Sequence, residues 1–276
     1  MLGLGLQLHQ YASSGGGGAS GARKAAAPSN ASSIFLDGVD QYLTQPDGGA
    51  NSNIFSNLNG SSSWTIAFWI KLTENPTFII WKGNYFTSNY LNISTDSTGD
   101  LTIFGANAGA TTINTKWPTD LSLNTWYHVA ITSDGTGTNR VNECYVDGVS
   151  AGVASSNTTV ASATDLESPS GSELLKIGAL HTLIYYSFYM DDLACWNRVL
   201  PANQVQTLTT HRNWLGDFGD YNLSSNLQLF YRFDDGANSI VNPTTTVNST
   251  AQNRPITLVN TEINSWVSGG QNVPYA

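Results

Sequence analysis

Short runs of apolar–polar alternation, cut by turn residues, constrain this chain of 276 residues more than any other feature. In residues 64–72 (WTIAFWIKL), Ile66, Phe68, Ile70 and Leu72 share one face, while Thr65, Ala67, Trp69 and Lys71 share the other. Tyr127, Val129 and Ile131 oppose His128, Ala130 and Thr132 in the same way. A period of two belongs to β-strands, whose successive side chains point to opposite faces. Gly, Asn, Asp and Ser clusters separate the runs. Asp37-Gly38, Asp134-Gly135 and Asp147-Gly148 mark tight turns, because glycine accepts the positive φ that such turns need. The pattern predicts an all-β, two-sheet antiparallel sandwich. Only residues 201–209, with Pro201 at a first helical turn, suggest a helix.

Charge narrows the partners. Charged residues make up 11% of the chain, against roughly 25% in ordinary globular proteins. The balance is acidic, at net −9. Such a surface repels phosphate, so neither nucleic acid nor an anionic membrane is expected as a partner. No run is long and apolar enough to span a bilayer. Cys144 and Cys195 occupy apolar strand positions, in phase with Val146 and Leu193. Buried free thiols are the expected state, with a bridge between the two strands as the alternative.

Residues 1–30 read as an extended arm. Leu2, Leu4, Leu6 and Leu8 alternate with Gly3, Gly5 and Gln7, and a Gly/Ser linker follows from Ser13 to Ser20. The start lacks a basic segment and its apolar stretch is broken, so a classical signal peptide is not expected. Eight residues cannot fold alone. Either the leucines form a partner-binding strand that adds to a sheet edge of another subunit, or the arm is a disordered tail.

Five stretches carry a family resemblance. They are residues 35–43 (FLDGVDQYL), 64–72, 124–131 (NTWYHVAI), 144–148 (CYVDG) and 190–200 (MDDLACWNRVL). In this order they resemble the laminin-G-like, concanavalin A-type jelly roll. The resemblance implies a jelly-roll domain over residues 31–211. Residues 229–236 (LFYRFDDG), 256–259 (ITLV) and Trp266 resemble the family's lead segment, displaced to the end. Residues 212–276 are therefore expected as an extension that completes the sandwich or begins a truncated second copy. The family commonly has Gly two residues before its IDD triplet. Phe188 stands there instead, within residues 185–189 (YYSFY), and suggests a surface aromatic cluster.

Catalytic patterns are missing. Glucan-cleaving relatives on this sandwich use an E-x-D-x-x-E strand, and the nearest match, Glu143 to Asp147, has the wrong spacing. Asp191 and Asp192 are adjacent, which in a regular strand sends them to opposite faces. The histidines at 9, 128, 181 and 211 show no zinc-ligand spacing. No enzyme activity and no cofactor are expected. Structural calcium is the one ion the resemblance implies, with Asp37 and Asp192 as its ligands and turn-capping carboxylates as the alternative. Aromatic rings stack on sugar C–H faces, so Trp81, Tyr85, Tyr185 and Tyr186 are candidate glycan-binding residues, with Trp69, Phe86, Tyr90 and Tyr189 nearby.

Three function classes follow. The arm–linker–sandwich layout resembles in style a structural protein of a tailed-bacteriophage virion, anchored to other virion proteins by its arm within a multi-subunit assembly. A carbohydrate-binding lectin-like module, facing a host surface glycan, is the second. A glycoside hydrolase or lyase is the third, disfavoured by the absent carboxylate strand.

Overall fold

The computed structural model describes residues 33–45, 63–84, 89–107, 110–136, 140–159, 175–180, 184–209, 226–231, 233, 245–246, 256–259 and 266–267. The leucines of the arm and Tyr85 fall outside these residues.

Strand formation follows the alternation. The first half of the chain contributes β1 (Ser33–Asp37), β2 (Tyr42–Gln45), β3 (Trp64–Leu72), β4 (Thr77–Asn84), β5 (Asn89–Thr95), β6 (Leu101–Asn107) and β7 (Ala110–Trp117). Next come β8 (Trp126–Asp134), β9 (Val141–Val146), β10 (Val149–Ser150), β11 (Ser156–Thr159), β12 (Leu175–Ile177), β13 (Ala179–Leu180), β14 (Ile184–Tyr185) and β15 (Ser187–Trp196). A short helix α1 (Ala202–Leu208) precedes β16 (Leu227–Tyr231), β17 (Thr245–Thr246), β18 (Ile256–Val259) and β19 (Trp266–Val267). Pro201 stands at the N-cap of α1 with extended backbone, one residue before the first helical turn in which the sequence placed it.

Among the described residues the strands form two large antiparallel sheets. One runs β10-β9-β8-β3-β15-β1-β19, with β16 also paired to β15; the other runs β11-β7-β6-β5-β4-β12-β2-β18-β17. The late strands enter both: β16 pairs with β15, β19 with β1, and β18 with β2. Residues 227–267 thus supply strands to the same sandwich as residues 33–196.

Two cores hold the layers together. The main one lies between the sheets and includes Ile66, Phe68, Ile70 and Leu72 from β3 with Leu91, Ile93, Leu101, Ile103 and Ile113 from the opposite sheet. Cys195, Ile66, Ile131 and Cys144 lie in one cross-strand row of it. The two cysteines, both buried and free, are therefore three strand steps apart, roughly 14 Å at about 4.8 Å per step. A disulfide needs Cα atoms within about 7 Å, so the bridge is excluded. Phe188 is also in this core, opposite Leu36 and Leu72. That corrects the expected surface aromatic cluster: the large side chain fills interior space where the family has glycine.

The second core lies on the outer face of the β3 sheet. Ala194, Ala67 and Ala130 are cross-strand neighbours on β15, β3 and β8. Three small side chains in a row leave a trough, and Val205 and Leu208 of α1 pack there with Trp69, Trp196 and Phe230. Gly148 serves the same contact, since a Cβ there would meet the Gln206 backbone at 3.0 Å.

His128 is sealed into this face, fully buried, with the ring of Trp69 edge-on at 5.3 Å. Burial lowers its pKa to about 3. An unfolded histidine takes up its proton near 6.5, so the unfolded state binds more protons throughout that window. Stability accordingly falls as pH drops below about 6.5, by up to about 1.4 kcal/mol per unit. Urea denaturation at pH 7 and pH 5, above the ordinary carboxylate range, is expected to show this loss. His128→Phe is expected to flatten it, whatever the variant's absolute stability.

Candidate functional site

The β4–β7 sheet keeps one face for the main core and presents the other outward. On β5, Leu91 and Ile93 point inward, so Tyr90, Asn92 and Ser94 point out. On β6, Leu101 and Ile103 point inward, leaving Thr102 and Phe104 outside. A β-bulge between Phe78 and Ile80 adds one residue to β4. Phe78 pairs with Ser94 and Trp81 with Asn92, so two aromatics three positions apart reach the same face.

Register then assembles the site. One outward row reads Thr44, Lys176, Trp81, Asn92, Phe104 and Asn114 across six strands. The next reads Phe78, Ser94, Thr102 and Lys116. Together with Tyr90 and Leu180, the central members of these rows line an open cleft of about 310 Å³. Its full lining is Phe78, Trp81, Tyr90, Asn92, Ser94, Thr102, Phe104 and Leu180.

Three rings form a column within it. Trp81 and Tyr90 stack at 4.7 Å with planes 18° apart, and Tyr90 stacks on Phe104 at 5.6 Å and 21°. Trp81 is only 2% exposed, and its indole N–H donates to the Gly83 carbonyl at 2.9 Å. It acts as the fixed base of the column, while the half-buried Tyr90, Phe104 and Phe78 present surface to solvent. Beneath them the Ser94 hydroxyl donates to Asn92 Oδ1 at 3.2 Å. The Asn92 amide nitrogen has no protein partner among the described residues. The cleft therefore offers apolar ring surface beside an amide donor and two hydroxyls, the Ser94 and Thr102 groups.

Of the residues singled out from sequence, Trp81 lines the cleft as a buried support. Tyr185 and Tyr186 do not line it: Tyr185 lies 6.0 Å from the ring of Tyr42, and Tyr186 packs behind Phe78 at 5.4 Å. Burial raises the Tyr186 phenol above its ordinary pKa. Trp69 belongs to the second core. Tyr189 is occupied from within, its ring tilted 32° against Phe35 at 4.5 Å with Lys71 Nζ 3.8 Å from its ring centre. Burial lowers the Lys71 pKa. Phe78, Phe104, Asn92, Ser94 and Thr102 were not singled out. For Asn92, Ser94, Thr102 and Phe104 the signal in the sequence was the outward phase of β5 and β6; Phe78, on β4, had no such signal.

The carboxylates do not converge. Asp37 Oδ1 accepts the Val39 backbone N–H at 2.8 Å and so caps its own turn. Asp37 pairs with Ser187, about five residues before Asp192, or roughly 16 Å along the strand. Asp37 and Asp192 therefore cannot share one calcium ion, which corrects that ligand pair. Among the described residues no group of three or more His, Cys, Asp or Glu side chains is placed to hold a metal. Asp191 and Asp192 do not follow the regular alternation expected of them. Asp192 has φ 46°, the ladder is irregular there, and both side chains are buried. Glu143 accepts the Tyr145 hydroxyl and Asp147 accepts the His128 backbone N–H, each at 2.8 Å.

Near the end of β7, Lys116 bridges Asp96 and Asp100. Burial works to raise the Asp96 pKa, but hydrogen bonds from Lys116 and Thr98 hold it well below the usual carboxylate range.

Residues 37–206 match the family model Laminin_G_3, described as the concanavalin A-like lectin/glucanases superfamily. The chain belongs to this superfamily. A solved member-like fold is a candidate carbohydrate-binding protein from Bacteroides ovatus ATCC 8483, with a TM-score of 0.57 and 15% identity. The match covers 91% of this chain and 62% of that one, so the superfamily sandwich described here spans less than two thirds of the Bacteroides protein. A heptameric SAP-like pentraxin from Limulus polyphemus gives a TM-score of 0.44 at 19% identity, covering 64% of this chain and 81% of that one. The CBM40 of a Ruminococcus gnavus sialidase, solved with α2,3-sialyllactose, gives 0.46 at 12% identity, covering 65% of this chain and 97% of the other. No curated protein sequence matches the chain.

Proposed function

We propose that this superfamily member is a non-enzymatic, carbohydrate-binding lectin-like module, and that glycan enters the cleft over β4, β5 and β6. The observation that carries this reading is the ring column of Trp81, Tyr90 and Phe104 beside the polar floor of Asn92, Ser94 and Thr102. Sugars combine apolar C–H patches with hydroxyls, and this surface offers a match to both. The Bacteroides ovatus likeness is consistent with it at the level of the fold. Screening the protein on a glycan array and titrating the hits is the direct test. Phe104→Ala and Tyr90→Ala are each expected to weaken binding at least about tenfold, near 1.4 kcal/mol, with the unfolding midpoint little changed. Binding that survives both substitutions at wild-type affinity moves the ligand to another surface.

A second reading concerns where the module is displayed. The alternation of Leu2, Leu4, Leu6 and Leu8 before a Gly/Ser linker supports an arm that anchors the sandwich to a larger assembly, in our reading a phage virion. Deleting residues 1–20 is expected to leave the fold and glycan binding intact while abolishing incorporation into that particle. Normal occupancy of the truncated protein would sink the anchoring proposal.

A further inference from the structure

Resting on the carbohydrate-binding reading, we infer that the cleft selects uncharged glycan segments and discriminates against acidic sugars. The lining contains no Lys, Arg, Asp or Glu among its described members. The nearest cations in register are already engaged. Lys116, beside Thr102 in its row, is bridged to Asp96 and to Asp100 at 3.1 Å. Lys176, beside Trp81, lies on the side of β4 away from β5, is 8% exposed and is held 5.6 Å from the ring centre of Tyr42.

The sequence between the cleft strands points the same way. Residues 85–88 (YFTS), between β4 and β5, and residues 108–109 (AG), between β6 and β7, contain no charged residue. The whole chain stands at net −9. A uronate or sialate carboxylate entering this cleft would lose hydration without meeting a cation among the described lining residues, against the net negative charge of the chain. A neutral sugar incurs no such cost. Its hydroxyls meet groups that both donate and accept, the Ser94 and Thr102 hydroxyls and the Asn92 carboxamide. At about 310 Å³ the cleft is near the lower end of the roughly 300–1,000 Å³ usual for small-molecule sites, which suits a short segment of a chain.

The test is a set of matched pairs, each a neutral oligosaccharide and its sialylated or uronic-acid counterpart, titrated against wild type, Phe104→Ala and Lys176→Gln. Neutral members are expected to bind at least about tenfold tighter than their acidic counterparts. Their affinity is expected to hold up to about 1 M NaCl, where the Debye length is near 3 Å, and to fall in Phe104→Ala but not in Lys176→Gln. Acidic members that bind preferentially, with affinity lost at high salt and in Lys176→Gln, overturn the neutral selectivity while leaving the lectin reading in place. Folded wild-type protein that binds neither member of any pair removes the lectin reading itself.

Discussion

Trp69→Ala is expected to cost the fold about 3–5 kcal/mol, read as a lowered urea midpoint, while the proposed glycan binding of molecules that remain folded is expected to be unchanged. Trp69 sits at the middle of β3, between β15 and β8, and is 1% exposed. It belongs to the small core beneath α1, where the alanines of three neighbouring strands leave room for a large ring. Truncation removes most of the side chain that fills this layer, and the flanking strands cannot close the gap without breaking their ladders. A second readout follows from its edge contact with His128. With the indole gone, water reaches the imidazole and its pKa rises toward the ordinary value. The loss of stability between pH 7 and pH 5 is then expected to shrink in the variant. An unchanged acid slope would mean that another covering segment, not Trp69, keeps His128 dry.

Gly99→Ala is expected to destabilise by about 2–5 kcal/mol, a strain of about 1–2 from the backbone and about 1–3 from the forced contact. Gly99 has φ +89°, and a Cβ there would stand 2.4 Å from the Leu121 carbonyl oxygen and 2.8 Å from the Leu121 nitrogen. Both are backbone atoms, which cannot turn aside as a side chain can. The Leu121 N–H donates to the Gly99 carbonyl at 3.0 Å, and the Thr119 hydroxyl donates to the same oxygen at 3.0 Å. Moving either chain to admit a methyl group breaks the bonds that tie the β5–β6 turn to the segment before β8. Gly152→Ala is the control, with φ +79° and nothing within 4 Å of the added Cβ. It carries the backbone term alone and is expected to cost only about 1–2 kcal/mol by chemical denaturation. Equal losses in the two variants would assign the whole effect to φ.

Much of the sandwich was legible in the chain because its signals are local. The two faces of β3 separate in the structure as the alternation of residues 64–72 divides them, Ile66 to the main core and Ala67 to the second. Asp147-Gly148 forms a turn with positive φ at both residues, and α1 begins after Pro201. The aromatics were harder to sort. Trp69 and Trp81 both lie on the faces turned away from the main core, and nothing in their neighbours tells which face another element will cover. Helix α1 covers the first, whereas the second supports an open cleft. Phe78 was illegible for a different reason. A strict period of two sends residues 78 and 81 to opposite faces, and only the bulge in β4 reunites them.

The sequence by itself determined the strand class, the two faces of the regularly alternating strands such as β3, the turn positions and the acidic, cation-poor composition. These are properties of single residues and of backbone geometry repeating over a few of them. Only the tertiary structure decided which strands are neighbours and in what register. That is why Trp81, Asn92 and Phe104, from three different strands, stand in one row, and why Asp37 and Asp192 do not meet. Register is fixed by hydrogen bonds between segments far apart in the chain and by the burial of whole faces, so no local pattern carries it.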